Sequence, residues 1–212
     1  MSLIKLENKY KELCNTTSDI NEHLPTLFHY ASKCKSVIEL GVRGCVSTYA
    51  FLYGLNNNNT NTKKLLLNDI NPCNISDIIE LTNDLGVDLK YEWISDLEMN
   101  INENYDLTFI DTLHVYGQLK RELTKYSKIT NKYIIMHDTT VDEFYGEIIR
   151  IFPNQEWYMN EAQHISKITN IPENELLIGL WPAVEEFLND NPEWSICDRF
   201  TNNNGLTILQ KS

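Results

Sequence analysis

The sequence predicts an α/β fold: a doubly wound, mostly parallel, seven-stranded sheet with helices on both faces and a C-terminal antiparallel hairpin. Three observations carry this expectation. Short apolar runs alternate with segments of helical spacing between residues 36 and 152, the pattern of successive βαβ units. Those runs are near-continuously apolar, as in strands covered on both faces. The chain then ends in two strand-like runs joined by Asn-Asn-Asn-Gly, a turn composition.

Residues 3–14 and 20–34 place apolar side chains at helical spacing, with Thr17 or Ser18 positioned to cap the second stretch, so residues 1–35 read as leading helices. Residues 36–40 (SVIEL) form the first strand, which ends in a glycine turn, and residues 47–55 resume as a helix. A strand at 64–68, a helix at 75–85, strands at 89–93 and 107–110, a charged amphipathic helix at 115–129, a strand at 133–136 and a helix at 143–152 complete a Rossmann-like cofactor-binding core, residues 36–152. Residues 153–181 are less periodic and carry Trp157, Tyr158, His164 and Trp181; they read either as a substrate lid over the carboxyl edge of the sheet or as ordinary packing. Residues 182–212 supply a closing helix at 182–189, opened by a proline in its first turn, and a hairpin of strands at 194–200 and 205–210. No linker or repeat interrupts the chain, so residues 1–212 read as a single domain.

Composition narrows the function. A chain of 212 residues suits one core. No apolar stretch approaches the roughly 20 residues of a membrane helix, and residues 1–10 mix lysine and glutamate without the apolar centre of a signal peptide. Five cysteines at irregular spacing, with no CxxC pair, argue against a disulfide framework or a zinc knuckle. The expectation is a reduced, cytoplasmic protein with no membrane partner. A net charge of -12 opposes binding of nucleic acid, which rests on cations that neutralise phosphates; a small-molecule or glycan acceptor fits better. Aromatic residues in the leading helices or in residues 153–181 would support a homodimer. The asparagine runs at 56–59 and 202–204 read as solvated loops, and His23, His29 and His164 as surface or packing residues.

In open α/β sheets ligands bind beyond the carboxyl ends of the strands. The loop after the first strand reads ELGVRGCVST, residues 39–48. Gly41 lets a backbone approach a ligand closely, and Ser47 or Thr48 can serve the start of the next helix. Asp69, at the tip of the second strand, either accepts hydrogen bonds from both ribose hydroxyls of a nucleoside or caps a helix. A nicotinamide-type GxGxxG would need glycine at position 43, which is arginine. ELGVRGCVST followed by LNDINP resembles the first two motifs of class I S-adenosylmethionine-dependent methyltransferases. The resemblance implies that the loop carrying Glu39, Gly41, Val42, Gly44, Ser47 and Thr48 faces the methionine part of the cofactor. It also implies that Asp69, beside Ile70, holds the ribose and that Ser95 and Asp96 approach the adenine. Cys45 departs from the pattern, standing where relatives commonly have glycine.

The fourth and fifth strands run into FIDTLHVY and YIIMHDTT, which set Asp111, His137 and Asp138 at strand ends on one edge. Two carboxylates with an imidazole suit a divalent cation such as Mg²⁺, the imidazole fitting Mn²⁺ or Fe²⁺ better. FIDTLHVYGQLKREL resembles the FIDGxHxYxxxxxDL segment of macrocin-type sugar O-methyltransferases and cephalosporin hydroxylase-like proteins, and GLWPAVEEFL and NNNGLTILQK extend the likeness to about residues 37–211. It implies methyl transfer from S-adenosylmethionine to a sugar or other small-molecule hydroxyl. Asp111 and Asp138 match metal-ligand positions, and His137 stands where those relatives often have a second acid. Asp111, His114 and Asp138 are then the expected reaction centre. His114 is either the general base, since imidazole titrates near neutrality, or a histidine bonded to the adjacent turn; Tyr116 either lines the pocket or starts a helix. Two rivals stand beside this reading: a metal-independent methyltransferase and a catalytically silent cofactor-binding protein.

Overall fold

The computed structural model describes residues 2–212. The chain forms α1 (Ser2–Asn15), a 3-10 turn (Asn21–His23), α2 (Leu24–Ala31), β1 (Ser36–Leu40), α3 (Val46–Asn57), β2 (Lys63–Asn68), α4 (Ser76–Leu85), β3 (Val87–Glu92) and β4 (Tyr105–Ile110). Then follow α5 (Tyr116–Tyr126), β5 (Thr130–His137), α6 (Glu147–Ile151), α7 (Gln155–Thr169), α8 (Glu173–Leu176), α9 (Trp181–Asp190), β6 (Trp194–Phe200) and β7 (Leu206–Lys211).

The seven strands make one sheet in the order β3-β2-β1-β4-β5-β7-β6. β7 alone runs antiparallel, against β5 on one side and β6 on the other, so the predicted fold class, hairpin included, is the one observed. Strand order reverses between β1 and β4. That switch point opens a crevice at the carboxyl ends, where diverging connections leave room for a ligand. β1 and β4 are buried along their whole length. Their alternate residues feed two cores: Val37, Leu107 and Phe109 pack with α1 to α4, whereas Ile38, Leu40 and Ile110 pack with α5 and α9. Among the described residues no helix is long and apolar enough to cross a membrane.

Several boundaries differ from the sequence expectation, each for a physical reason. The expected helix at 20–34 splits, because Pro25 lacks the amide needed inside a helix and instead sits in the first turn of α2. Thr17 and Ser18 therefore cap nothing; the Ser18 backbone amide donates to Asn21 Oδ1 at 3.0 Å instead. Cys45 precedes α3 in a left-handed conformation (φ 61°) without a side-chain cap, so neither Ser47 nor Thr48 is the cap. The third strand begins two residues early, at Val87, because Gly86 (φ 66°) ends α4. The expected helix at 143–152 shrinks to α6. Its first part pairs with residues 177–181 instead, through Gly146 N to Leu177 O (3.0 Å), Leu180 N to Asp142 O (2.8 Å) and a bridge of Tyr145 with Ile178.

Candidate functional site

The loop between β1 and α3 is held by three contacts. Gly41 N donates to Asn68 O at 2.9 Å and Asp111 N to Leu40 O at 2.9 Å, which ties the carboxyl ends of β1, β2 and β4 together. Gly41 lies at φ +88°, and a Cβ there would come within 1.9 Å of Asp111 O, so only glycine fits. The third contact is the Asp69 carboxylate. Its Oδ2 accepts from the amides of Val42 (3.1 Å) and Arg43 (3.0 Å), and its Oδ1 accepts from Asn71 N (2.9 Å). Burial alone would raise the Asp69 pKa, but these amides, Arg43 foremost, outweigh it and hold it below the ordinary value.

These loops enclose a cavity of about 400 Å³ lined by Gly41, Asp69, Ile70, Ser95, Asp96 and Asp111 among the expected cofactor residues. Arg43, Asn68, Asn71, Thr112, Leu113, Gln118 and Glu147 complete its walls, and Ile165 and Thr169 of α7 reach it from residues 153–181. The other expected residues do not line it. Val42 and Thr48 are buried, Gly44 faces open space, and Ser47 Oγ donates to Oε1 of the fully buried Glu39. Burial, partly offset by Ser47 and Thr48, pushes the Glu39 carboxyl up to about 8, so it is mostly protonated at neutral pH.

At the far side of Asp111 stands a cluster of acids and imidazoles. His114 Nε2 is 3.1 Å from both Asp111 Oδ1 and Asp138 Oδ2, while its Nδ1 lies 3.4 Å from Asp142 Oδ2 and 3.2 Å from Glu147 Oε2. His137 Nδ1 is 3.5 Å from the same Asp111 and Asp138 oxygens, and its Nε2 meets Asn203 O at 3.2 Å. Arg150 forks Asp142 with two contacts of 2.7 Å. Burial works against protonation of both imidazoles, but the surrounding carboxylates win. His137 rises to about 10, and His114 rises well above its ordinary range because four carboxylates face it. The same imidazoles hold Asp111 below the usual carboxylate range against its burial.

The donor set suits a divalent cation. Ligand atoms of Asp111, His114 and Asp138 lie within 4.8 Å of one another, and Asp138 Oδ1 and His137 Nδ1 are buried with no well-aligned hydrogen-bond partner. The set expected from sequence, Asp111, His137 and Asp138, is brought together, and His114 joins it. Asp142, Glu147 and Arg150, which complete the cluster, were not expected. Glu147 and Arg150 lie on α6, inside the predicted helix at 143–152, and helical spacing gives no sign that they meet His114, although the acid at Asp142 follows Asp138 at a spacing of four.

No protein-family model matches this chain, and no curated protein matches it by sequence. Solved structures do share its fold. A methyltransferase of Podospora anserina bound to S-adenosylhomocysteine superposes with TM-score 0.56 at 14% identity over 98% of this chain and 87% of the other. An O-methyltransferase of Streptomyces achromogenes in complex with S-adenosylmethionine does so with TM-score 0.57 at 11% identity over 100% and 89%. An O-methyltransferase of Bacillus cereus in complex with S-adenosylhomocysteine gives 0.55 at 14% identity over 100% and 90%. The chain thus has the Rossmann-like fold of these methyltransferases.

Proposed function

We propose that this chain is an S-adenosylmethionine-dependent O-methyltransferase acting on a small-molecule or sugar hydroxyl. The observation that carries the reading is continuity: a nucleoside-sized cavity at the switch point ends at Asp111, and the acid and imidazole cluster begins on the other side of the same residue. Bound there, S-adenosylmethionine supplies an electrophilic methyl group, and a divalent cation supplies Lewis acidity toward an acceptor hydroxyl.

The chain's own groups then have distinct tasks. Gly41 and Asp111 bring the loop after β1 against the end of β4, which fixes where a methyl donor and an acceptor meet. Asp69 keeps that loop in shape and retains lone pairs toward the cavity for a ribose hydroxyl. Asp111 and Asp138, with His114 or His137, would hold the metal. His114, beside Asp111 and Asp138, would take the proton of the acceptor, acting as base once the carboxylate charge around it is compensated. Residues 153–181 act as a substrate lid, a role supported by Ile165 and Thr169 at the cavity wall. The likeness of residues 37–211 to macrocin-type enzymes points to a sugar hydroxyl.

One observation favours a metal-independent variant of the same reaction. His114 already stands between Asp111 and Asp138, 3.1 Å from each, so its imidazolium can provide the positive charge there. Calorimetry with S-adenosylmethionine and S-adenosylhomocysteine, followed by methyl transfer to a panel of sugars and phenols with and without EDTA, separates the readings. Binding and EDTA-sensitive turnover are expected. Turnover unchanged after chelation removes the metal, turnover absent across the panel leaves a silent binding protein, and no binding of either nucleoside overturns the proposal.

A further inference from the structure

Four residues on one face of α5, Gln118, Glu122, Lys125 and Tyr126, fasten the loop after β3 to the cavity wall. Lys125 Nζ donates to the carbonyls of Asp96 and Met99 at 2.6 Å each, and Tyr126 OH donates to Asp96 O at 2.8 Å. The backbone at Asp96 therefore has little freedom. Its side chain has less. Asp96 Oδ1 accepts from Gln118 Nε2 at 3.0 Å, and Asp96 Oδ2 is buried with no donor.

Behind them lies Glu122, fully buried. Its Oε1 accepts from Gln118 Nε2 at 2.8 Å and from Thr112 Oγ1, while Oε2 has no donor. Burial, and then the neighbouring Asp96 charge, push the Glu122 carboxyl well above the usual range, which favours its protonated form. The two carboxyls lie side by side, both accepting from Gln118 Nε2, so a proton on Glu122 would serve the pair. Asp96 is thus engaged on its inner side, with Oδ1 held by Gln118 and Oδ2 buried.

The two acids also lock Gln118. A primary amide has two N–H groups, and here both are directed at carboxyl oxygens. Turning the amide over would set its oxygen against those same oxygens, at the cost of two hydrogen bonds in a buried place. Gln118 lines the cavity beside Ser95, Asp96 and Thr112, and its carbonyl oxygen is the polar atom left to face it.

We infer that Gln118 reads the nucleobase: its fixed carbonyl oxygen accepts a hydrogen bond from an exocyclic amino group, so the cavity takes a 6-aminopurine nucleoside and refuses the 6-oxo analogue. The inference rests on the reading of this cavity as the S-adenosylmethionine site. A 6-oxo purine would set oxygen against an oxygen that cannot turn away, and a site built around a hydrogen bond rejects the ligand that cannot make it.

The test is calorimetric binding of S-adenosylhomocysteine and of its deaminated form, S-inosylhomocysteine, to the full chain. The unaltered protein is expected to prefer the amino form at least about tenfold. Gln118→Met, close in size and without the acceptor, is expected to lose most of that preference by weakening only the amino form, with circular dichroism and melting confirming the fold. Glu122→Leu releases the amide and is expected to narrow the preference as well, giving a second route should Gln118→Met not fold. An unaltered protein that binds both forms equally, or a folded Gln118→Met variant that keeps the full preference, overturns the assignment to Gln118. Binding of neither form by the unaltered protein instead overturns the cofactor reading on which it rests.

Discussion

Gly41 packs its α-carbon against the carbonyl of Asp111, so closely that a Cβ would lie 1.9 Å from that oxygen. One contact thereby sets the distance between the switch-point cavity and the acid and imidazole cluster. Gly41→Ala is expected to push the two apart. The backbone conformation alone costs about 1–2 kcal/mol for a non-glycine residue, and relief of the overlap adds to it. Urea denaturation should register that loss, and calorimetry a drop of at least about tenfold in S-adenosylhomocysteine affinity. A variant with native affinity would mean that the loop tolerates another path.

Asp69 braces the two loops at the cavity mouth. It accepts three backbone amides from two loops, and hydrogen bonds to a charged acceptor contribute about 1.5–3 kcal/mol each. Because water replaces part of that, Asp69→Ala is expected to cost about 2–4 kcal/mol of stability as well as nucleoside affinity. Asp69→Asn, which keeps one acceptor, should fall between. Loss of affinity at unchanged stability would instead assign Asp69 to the ligand alone.

Glu39 gives the fold a pH dependence of defined sign. In the unfolded chain its carboxyl loses a proton near 4.5, whereas the folded protein holds it up to about 8. Between those values the folded state binds more protons, so stability falls as pH rises through the window and levels off above it. Glu39→Gln, neutral throughout, should flatten that part of the profile. Urea midpoints for both proteins at pH 5, 6.5, 8 and 9 check this; a difference between them that does not vary with pH would show that Glu39 is ionised in the fold.

The cluster around Asp111 should answer to a divalent cation. Mn²⁺ at about a hundred times its dissociation constant is expected to stabilise the protein by about 2.7 kcal/mol, read as a rise in melting temperature. Asp138→Asn removes one charge from a nearly buried ligand position and should abolish most of the rise. Equal shifts in protein and variant would place the ion elsewhere.

Much of this site was legible in the chain because strand ends are local features. An apolar run stops, a glycine or acid follows, and the α/β pattern puts each such position on one edge; Gly41, Asp69, Asp111, His137 and Asp138 were found this way. The α5 face was not. Read alone, residues 115–129 are a charged amphipathic helix, in which Glu122 and Lys125 look like parts of a solvated face. Glu122 is instead fully buried, because α5 packs against the loop after β3, a partner no periodicity names. Asp142, Glu147 and Arg150 were hidden in the same way, since helical spacing names no partner and only the fold sets these side chains against His114 and one another.

The sequence by itself determined the sheet, its mostly parallel order, the closing hairpin and the edge on which the acids gather, because periodicity and glycine placement act over a few neighbouring residues. Only the tertiary structure decided which of those groups remain free for a ligand. Hydrogen-bond capacity is finite and burial makes it costly to leave unused. Asp69 is partly used by the loop beside it, Asp96 is partly used by Gln118, and His114 lies among four carboxylates drawn from three separate stretches of chain.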